Sequence, residues 1–325
     1  MKNILFVFLF GILPIIAYSQ DNVAVLDDDD KAKIKALQNR SAVASSDTLW
    51  KFGGTAGLNF NQAYFSNWAS GGQNTVAATA MANLFAKYAK DRHSWDNSID
   101  LAYGLLAQDK NDAIKADDKI DLTSKYGYQL NNPDWYYSAL LNFRSQFAPG
   151  YEIKDGVEVG DKTSDFLAPA FTIFSLGMDY KPNENFSALL SPITTKITIV
   201  NDDRIAPDYG LDEGENVRAE VGAFVKLTYQ KDVFENVNLL TKLDLFSNYA
   251  EDPQNVDVNW EVLVSMKINK WLNASISTQL IYDDNTHIVV GKKEIMEEGV
   301  PVLVDRKGPR TQFKEVFALG LSVKF

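Results

Sequence analysis

The sequence predicts an all-β protein: an antiparallel up-and-down transmembrane β-barrel of about twelve strands, preceded by a short N-terminal tail. Three observations predict it. The chain opens on an export signal. From Trp50 onward the apolar residues recur with a period of two. The connections between these segments alternate between short and long, as in bacterial membrane barrels.

The export signal comes first. Lys2 supplies a positive start, and Ile4 to Ile16 form an apolar core broken only by Gly11 and Pro14. Ala17-Tyr18-Ser19 then offers small residues where a signal peptidase needs them, so cleavage is expected before Gln20. Residues 1–19 are thus expected to be a signal peptide, the core being too short to span a bilayer as a helix. No cysteine follows it, which excludes lipoprotein anchoring, and the chain has none anywhere. Disulfides, thiolate nucleophiles and cysteine metal sites are excluded with it.

Composition alone would mislead. Hydrophobic residues make up 46% of the chain and the mean hydropathy is −0.20. A barrel averages lipid-facing apolar residues with polar inner ones, so its bulk hydropathy looks ordinary. No later stretch approaches eighteen uninterrupted apolar residues, so membrane insertion must be by strands. The net charge of −11 disfavours nucleic acid as a partner.

Residues 20–49 read as a flexible periplasmic tail. Asp27 to Asp30 precede a short helical stretch, Lys31 to Arg40, and the acidic run reads as its solvated flank. The barrel is expected over 50–325, and its strands follow in order. Residues 50–65 form a weak first candidate. In the second, Val76, Ala78, Ala80, Ala82, Leu84, Ala86 and Tyr88 share a face opposite Thr75, Thr79, Asn83 and Lys87. In the third, Trp95, Ile99, Leu101, Tyr103 and Leu105 oppose Asp96, Ser98 and Asp100. In the fourth, Ile120, Leu122, Tyr126 and Tyr128 oppose Lys119, Asp121, Thr123 and Lys125. In the fifth, Trp135, Tyr137, Ala139, Leu141 and Phe143 oppose Tyr136, Ser138, Asn142 and Arg144. Weaker candidates cover 168–181, 186–200 and 237–249.

Alternation is clear again where Val217, Val221, Val225 and Leu227 oppose Arg218, Glu220 and Lys226. It continues with Val258, Trp260, Val262 and Val264 against Asp257, Asn259 and Glu261, and with Leu272, Ala274, Ile276 and Leu280 against Asn273, Ser275, Ser277 and Gln279. Residues 312–325 form the last strand. Short links at 90–93, 131–134, 181–185, 231–236 and 269–271 read as periplasmic turns. The connections at 66–73, 109–118, 148–167, 201–215 and 283–311 read as extracellular loops, and 250–255 is a shorter one on that side. Both termini then fall in the periplasm.

Aromatic residues support this layout. Trp95, Trp135 and Trp271 stand beside short turns, with Tyr180 and Tyr229, as an interfacial girdle requires. Phe317, Leu319, Leu321, Val323 and Phe325 alternate at the end of the chain. A terminal aromatic on such a strand resembles the signal that barrel-assembly machinery reads, so Phe325 is the candidate assembly signal.

Phe60-Asn61-Gln62 and Asn67-Trp68-Ala69-Ser70-Gly71-Gly72-Gln73-Asn74 carry a further likeness, supported by Lys87-Tyr88, Trp95 to Asp100, and Ser191-Pro192-Ile193-Thr194. On these residues the chain from Trp50 to Phe325 resembles an uncharacterised family of exported, Bacteroidota-type outer-membrane proteins, classed by a domain of unknown function. The resemblance implies a barrel and an outer-membrane address. It implies no reaction.

Residues that could carry chemistry are few. His93 falls in a short turn and His287 in a long loop. Neither lies on a strand face beside a serine, as a Ser-His-Asp hydrolase needs, and the pair supplies no zinc set. No catalytic residue, metal ligand or cofactor is therefore expected. The loop motif Asn67, Trp68, Gly71, Gly72 and Asn74 reads as a barrel-mouth fold element, with ligand binding as the alternative. The 201–215 loop sets Asp202, Asp203, Asp208, Asp212, Glu213 and Glu215 against Arg204. Its oxygen density would suit calcium, but its spacing fits no EF-hand, and a solvated surface loop is the plainer reading.

The candidate lumen charges are Asp96, Asp100, Lys125, Arg144, Arg218, Glu220, Lys242, Asp244 and Glu261. At mid-membrane a lipid-facing charge costs about 2–4 kcal/mol, so these must face inward. They could cross-brace a closed lumen or line a narrow pore. The expected function is a structural or accessory barrel of the cell envelope, with a small-solute channel or transporter as the alternative. Expected partners are outer-membrane lipid, the assembly machinery during insertion, and an envelope protein.

Overall fold

The computed structural model describes residues 49–66, 73–154, 156–297 and 300–324. The expected signal peptide, nearly all of the tail (20–48), the loop residues Asn67, Trp68, Gly71 and Gly72, and Phe325 lie outside them.

Among the described residues the strands are β1 (Trp50–Ala63), β2 (Thr75–Lys90), β3 (His93–Gln108), β4 (Ile114–Gln129), β5 (Trp135–Ser145), β6 (Gly150–Lys154), β7 (Val157–Ser164) and β8 (Ala170–Asn183). They continue with β9 (Phe186–Ile199), β10 (Val217–Phe234), β11 (Val237–Asn248), β12 (Val256–Lys267), β13 (Leu272–Tyr282), β14 (His287–Glu297), β15 (Val300–Pro309) and β16 (Gln312–Lys324). Twelve of them close into one antiparallel transmembrane barrel, in the order β1-β16-β13-β12-β11-β10-β9-β8-β5-β4-β3-β2. The predicted strands match these twelve one for one. The other four are two hairpins, β6–β7 and β14–β15, inside the long connections at 148–167 and 283–311. A 3₁₀ turn, Ala206–Tyr209, orders the acidic loop.

Alternation sorts the wall. Leu58, Leu122, Leu141, Leu190, Trp260 and Leu321 are exposed on the outside, as a lipid-facing belt requires. Aromatics ring the short-turn end: the Trp50 ring lies 5.2 Å from Tyr88 and 5.8 Å from Trp95, and Trp135 lies 4.8 Å from Tyr180. The Trp95 indole N–H donates to Ser124 Oγ at 2.8 Å, satisfying its one polar group at the membrane boundary.

The wall bends at Pro192. Proline has no N–H to give to a ladder, so within a sheet it belongs at bulges. Here the register of β9 slips against both neighbours, between Leu176 and Met178 on β8 and between Gly222 and Phe224 on β10. Ser191 Oγ donates to the Leu176 carbonyl at 2.8 Å, and the Tyr249 hydroxyl donates to the Pro192 carbonyl at 2.9 Å. Gly177 and Gly222 flank the bulge. A Cβ on Gly177 would fall on the Leu190 carbonyl, and one on Gly222 on the Ser247 carbonyl. The extra residue reverses the phase of β9. Leu189 and Ser191 point inward before it, and Thr194, Lys196 and Thr198 after it.

Candidate functional site

The lumen is where the chain gathers its ionisable groups. Every candidate charge named from sequence lies on the inner wall, and each has an opposite-charge partner. Nearest the short turns, Lys125 Nζ donates to Asp179 Oδ2 at 2.6 Å, and Lys181 lies 3.4 Å from Asp179 and 3.6 Å from Asp96. Asp179 is fully buried and also accepts from Ser187 Oγ at 2.8 Å.

At mid-depth the pairs cross the barrel. Lys119 on β4 donates to Glu261 on β12 at 3.2 Å, and Lys242 on β11 lies 3.5 Å from Asp100 on β3. In each case the two strands stand six steps apart in either direction round the ring of twelve. Arg144 on β5 pairs with Asp244 on β11 and lies 3.6 Å from Asp121, while Lys226 donates to Asp244 at 2.7 Å. A round barrel of this size would be about 24 Å wide, given a strand spacing of about 4.8 Å and the usual tilt. A lysine and an aspartate together cannot span that distance. The cross-section is therefore flattened, with the β3–β4 wall drawn toward the β11–β12 wall.

Toward the long loops a third cluster forms around Lys196. It donates to Asp257 at 2.6 Å and Asp283 at 2.7 Å, lies 3.7 Å from Glu220, and stands over the Phe246 ring at 5.4 Å. Arg218 pairs with Glu220 at 3.0 Å. Beside these charges the inner wall carries an apolar patch: Leu140, Ile173, Leu189, Phe224 and Phe246.

Sequence reasoning named Lys125, Arg144, Glu261 and the other candidates, but missed Lys196, Lys181 and the apolar patch. Lys196 was detectable only by treating Pro192 as a bulge. Lys181 falls where the predicted strand 168–181 meets the predicted short link 181–185, whereas β8 continues to Asn183 and carries Lys181 on the wall. A cavity of about 90 Å³ remains between the short-turn network and the mid-depth pairs. Phe85, Lys87, Leu140, Leu189 and Thr228 help to line it.

At the long-loop end, Asn74 fastens the first connection. Its side-chain oxygen accepts from the Phe65 N–H at 2.6 Å, and its own N–H donates to Asp109 at 3.0 Å. In the acidic loop, hydrogen bonds from Arg204 hold the Asp202 carboxyl down at about 2. Burial among Ala168, Val200 and Leu211 pushes the Tyr209 hydroxyl up to about 12. Lys307 on β15 clasps Asp208 at 2.7 Å, tying the β14–β15 hairpin to the 3₁₀ turn. Among the described residues, no group of three or more His, Cys, Asp or Glu side chains is arranged to hold a metal ion.

Residues 60–151 match the sequence profile of a family described as "Protein of unknown function (DUF3078)". That span holds Phe60-Asn61-Gln62 and the Asn67–Asn74 motif, but stops short of Ser191-Pro192-Ile193-Thr194, so the match is narrower than the resemblance drawn from the sequence. No protein with a curated description matches the chain. Among solved structures it is similar to an outer membrane channel from Pseudomonas putida F1, at 13% identity and a TM-score of 0.37, over 88% of this chain and 98% of that one. It is similar to the translocator domain of the autotransporter NalP from Neisseria meningitidis, at 7% identity and a TM-score of 0.32, over 92% and 95%. A third is OmpT, an outer membrane protein of Vibrio cholerae, at 12% identity and a TM-score of 0.27, over 88% and 100%.

Proposed function

We propose that this protein is a closed structural or accessory barrel of the bacterial outer membrane, with both termini in the periplasm and its long loops outside. The carrying observation is the pair of diametric contacts, Lys119–Glu261 and Lys242–Asp100. Side chains from opposite walls meet at mid-depth and neutralise one another, which supports a barred lumen over the one-signed constriction that ion conduction uses. The alternation of short turns and long loops supports the orientation.

Planar-bilayer recording tests the reading. The wild-type protein is expected to insert without discrete conductance steps, whereas a Glu261→Gln, Asp100→Asn double variant is expected to flicker open. Steady wild-type conductance would overturn the closed reading. The cavity below the braces favours one alternative, a small-solute channel that opens only when the braces part. Under that reading, wild-type steps appear at raised voltage and vanish when Cys pairs lock β4 to β12.

A further inference from the structure

One seam of the barrel is incomplete. Among the described residues, pairing between β1 and β16 runs from Thr55↔Lys324 to Asn59↔Gly320, five residues of each strand. Each of the other eleven seams pairs at least ten residues of each strand. On the long-loop side of Asn59, β1 continues through Phe60–Ala63 and pairs only with β2. Gln312–Leu319 of β16 pair only with β13. Among the described residues, both facing edges are left without a ladder.

Next to the paired stretch these edges present apolar residues to the lipid. Phe60, Phe317 and Leu319 are exposed on the outer face, where Phe60 stands opposite Ala78 on β2, Phe317 opposite Ile276 and Leu319 opposite Ala274 on β13. Unpaired strand N–H and C=O groups find no partner in hydrocarbon, so closed barrels tolerate no open edge there. An acyl chain cannot satisfy them, but another strand can.

The two edges are complementary to one another. Extending the existing register would pair Phe60 with Leu319, Asn61 with Ala318, Gln62 with Phe317 and Ala63 with Val316. A molecule that offers one edge therefore offers the other. A two-fold axis along the membrane normal preserves strand direction, so β1 of one copy ascends beside the descending β16 of the next, antiparallel as the seam requires. We propose that two copies of this chain complete each other's walls, β1 of each pairing with β16 of the other above Asn59 and Gly320. The interface is an intermolecular β-ladder with a lipid-facing surface, and it does not depend on whether the lumen conducts.

The cysteine-free sequence makes the test direct. Phe60→Cys and Leu319→Cys single variants, reconstituted together in lipid bilayers and oxidised, are expected to give a disulfide-linked band of twice the monomer mass. Each variant alone should give at least tenfold less. The Leu58→Cys, Leu321→Cys double variant, already paired in one chain, shows that the seam is folded by closing intramolecularly. Closure of a Phe60→Cys, Leu319→Cys double variant within single chains, without doubled mass, would show the seam zipping on itself and overturn the proposal. Absence of any link at 60 and 319 while the control closes would overturn it too.

Discussion

Lys119 and Glu261 stand on opposite walls of the barrel, six strands apart whichever way one counts, yet their charged atoms meet at 3.2 Å. Each keeps the other compensated inside a flattened lumen. Glu261→Gln should destabilise the barrel by roughly 1–3 kcal/mol, because both side chains keep some contact with solvent. The Lys119→Met, Glu261→Met double variant should recover most of that loss. Urea titration in liposomes, read by heat-modifiable electrophoretic mobility, would return a coupling energy of about 0.5–3 kcal/mol. Strict additivity would mean the contact contributes nothing.

Asp179 should be the most sensitive charge in the lumen. It is fully buried and faces two lysines, Lys125 and Lys181. Asp179→Asn leaves both uncompensated and should cost about 3–5 kcal/mol, the range for breaking a buried pair. A urea midpoint unchanged from wild type would show that the lysines find other partners.

Two glycines beside the Pro192 bulge are intolerant of a methyl group. Gly177→Ala and Gly222→Ala each place Cβ on a carbonyl oxygen of the neighbouring strand. Each should cost about 1–3 kcal/mol, as overpacking does. Gly160, on the β6–β7 hairpin, has open space around its Cβ but a positive φ of 72°. Gly160→Ala should leave barrel stability untouched, since any strain falls on a hairpin outside the wall. Equal losses at all three positions would argue against a local clash.

Acid should loosen the 201–215 loop over a defined window. Asp202 is held down at about 2 by Arg204. Its folded value is below its unfolded value of about 3.9, so its contribution is fully present above that pH. It is lost as pH falls from about 4 through about 2. Carboxyl carbon NMR should place the Asp202 midpoint near 2, and Arg204→Ala should return it to the ordinary aspartate range. A midpoint unmoved by that substitution would assign the shift to another cause.

The wall was legible because three signals coincide in it. Period-two stretches such as Val258 to Val264, turn residues such as Asn131-Asn132-Pro133-Asp134, and Trp95 or Trp135 at their ends each depend on local sequence alone. The interior was half legible. Parity located Arg144 and Glu261 on the inner face, yet could not say that they meet charges 100 and 142 residues away. That depends on flattening, which belongs to the closed ring. Parity also failed at Lys196, where one bulged residue reverses inside and outside. Leu140 shares the inward parity of Ser138 and Asn142, but parity does not say that it meets Phe224 and Phe246 there. The hairpins at 150–164 and 287–309 read from sequence as long loops, because each lies outside the repeating strand pattern of the wall.

The 142-residue separation between Lys119 and Glu261 also bears on the order of events during assembly. Neighbouring strands can zip as they arrive, since their turns are short. The braces must wait for the sheet to curl round. Until then each charge keeps its own water, and the half-formed sheet has a wet inner surface. Ring closure brings the charges together, so the interior sets only after the wall is built. A variant that stalls with paired strands but unmatched lysines would be arrested at that step, a complete sheet that has not yet become a vessel.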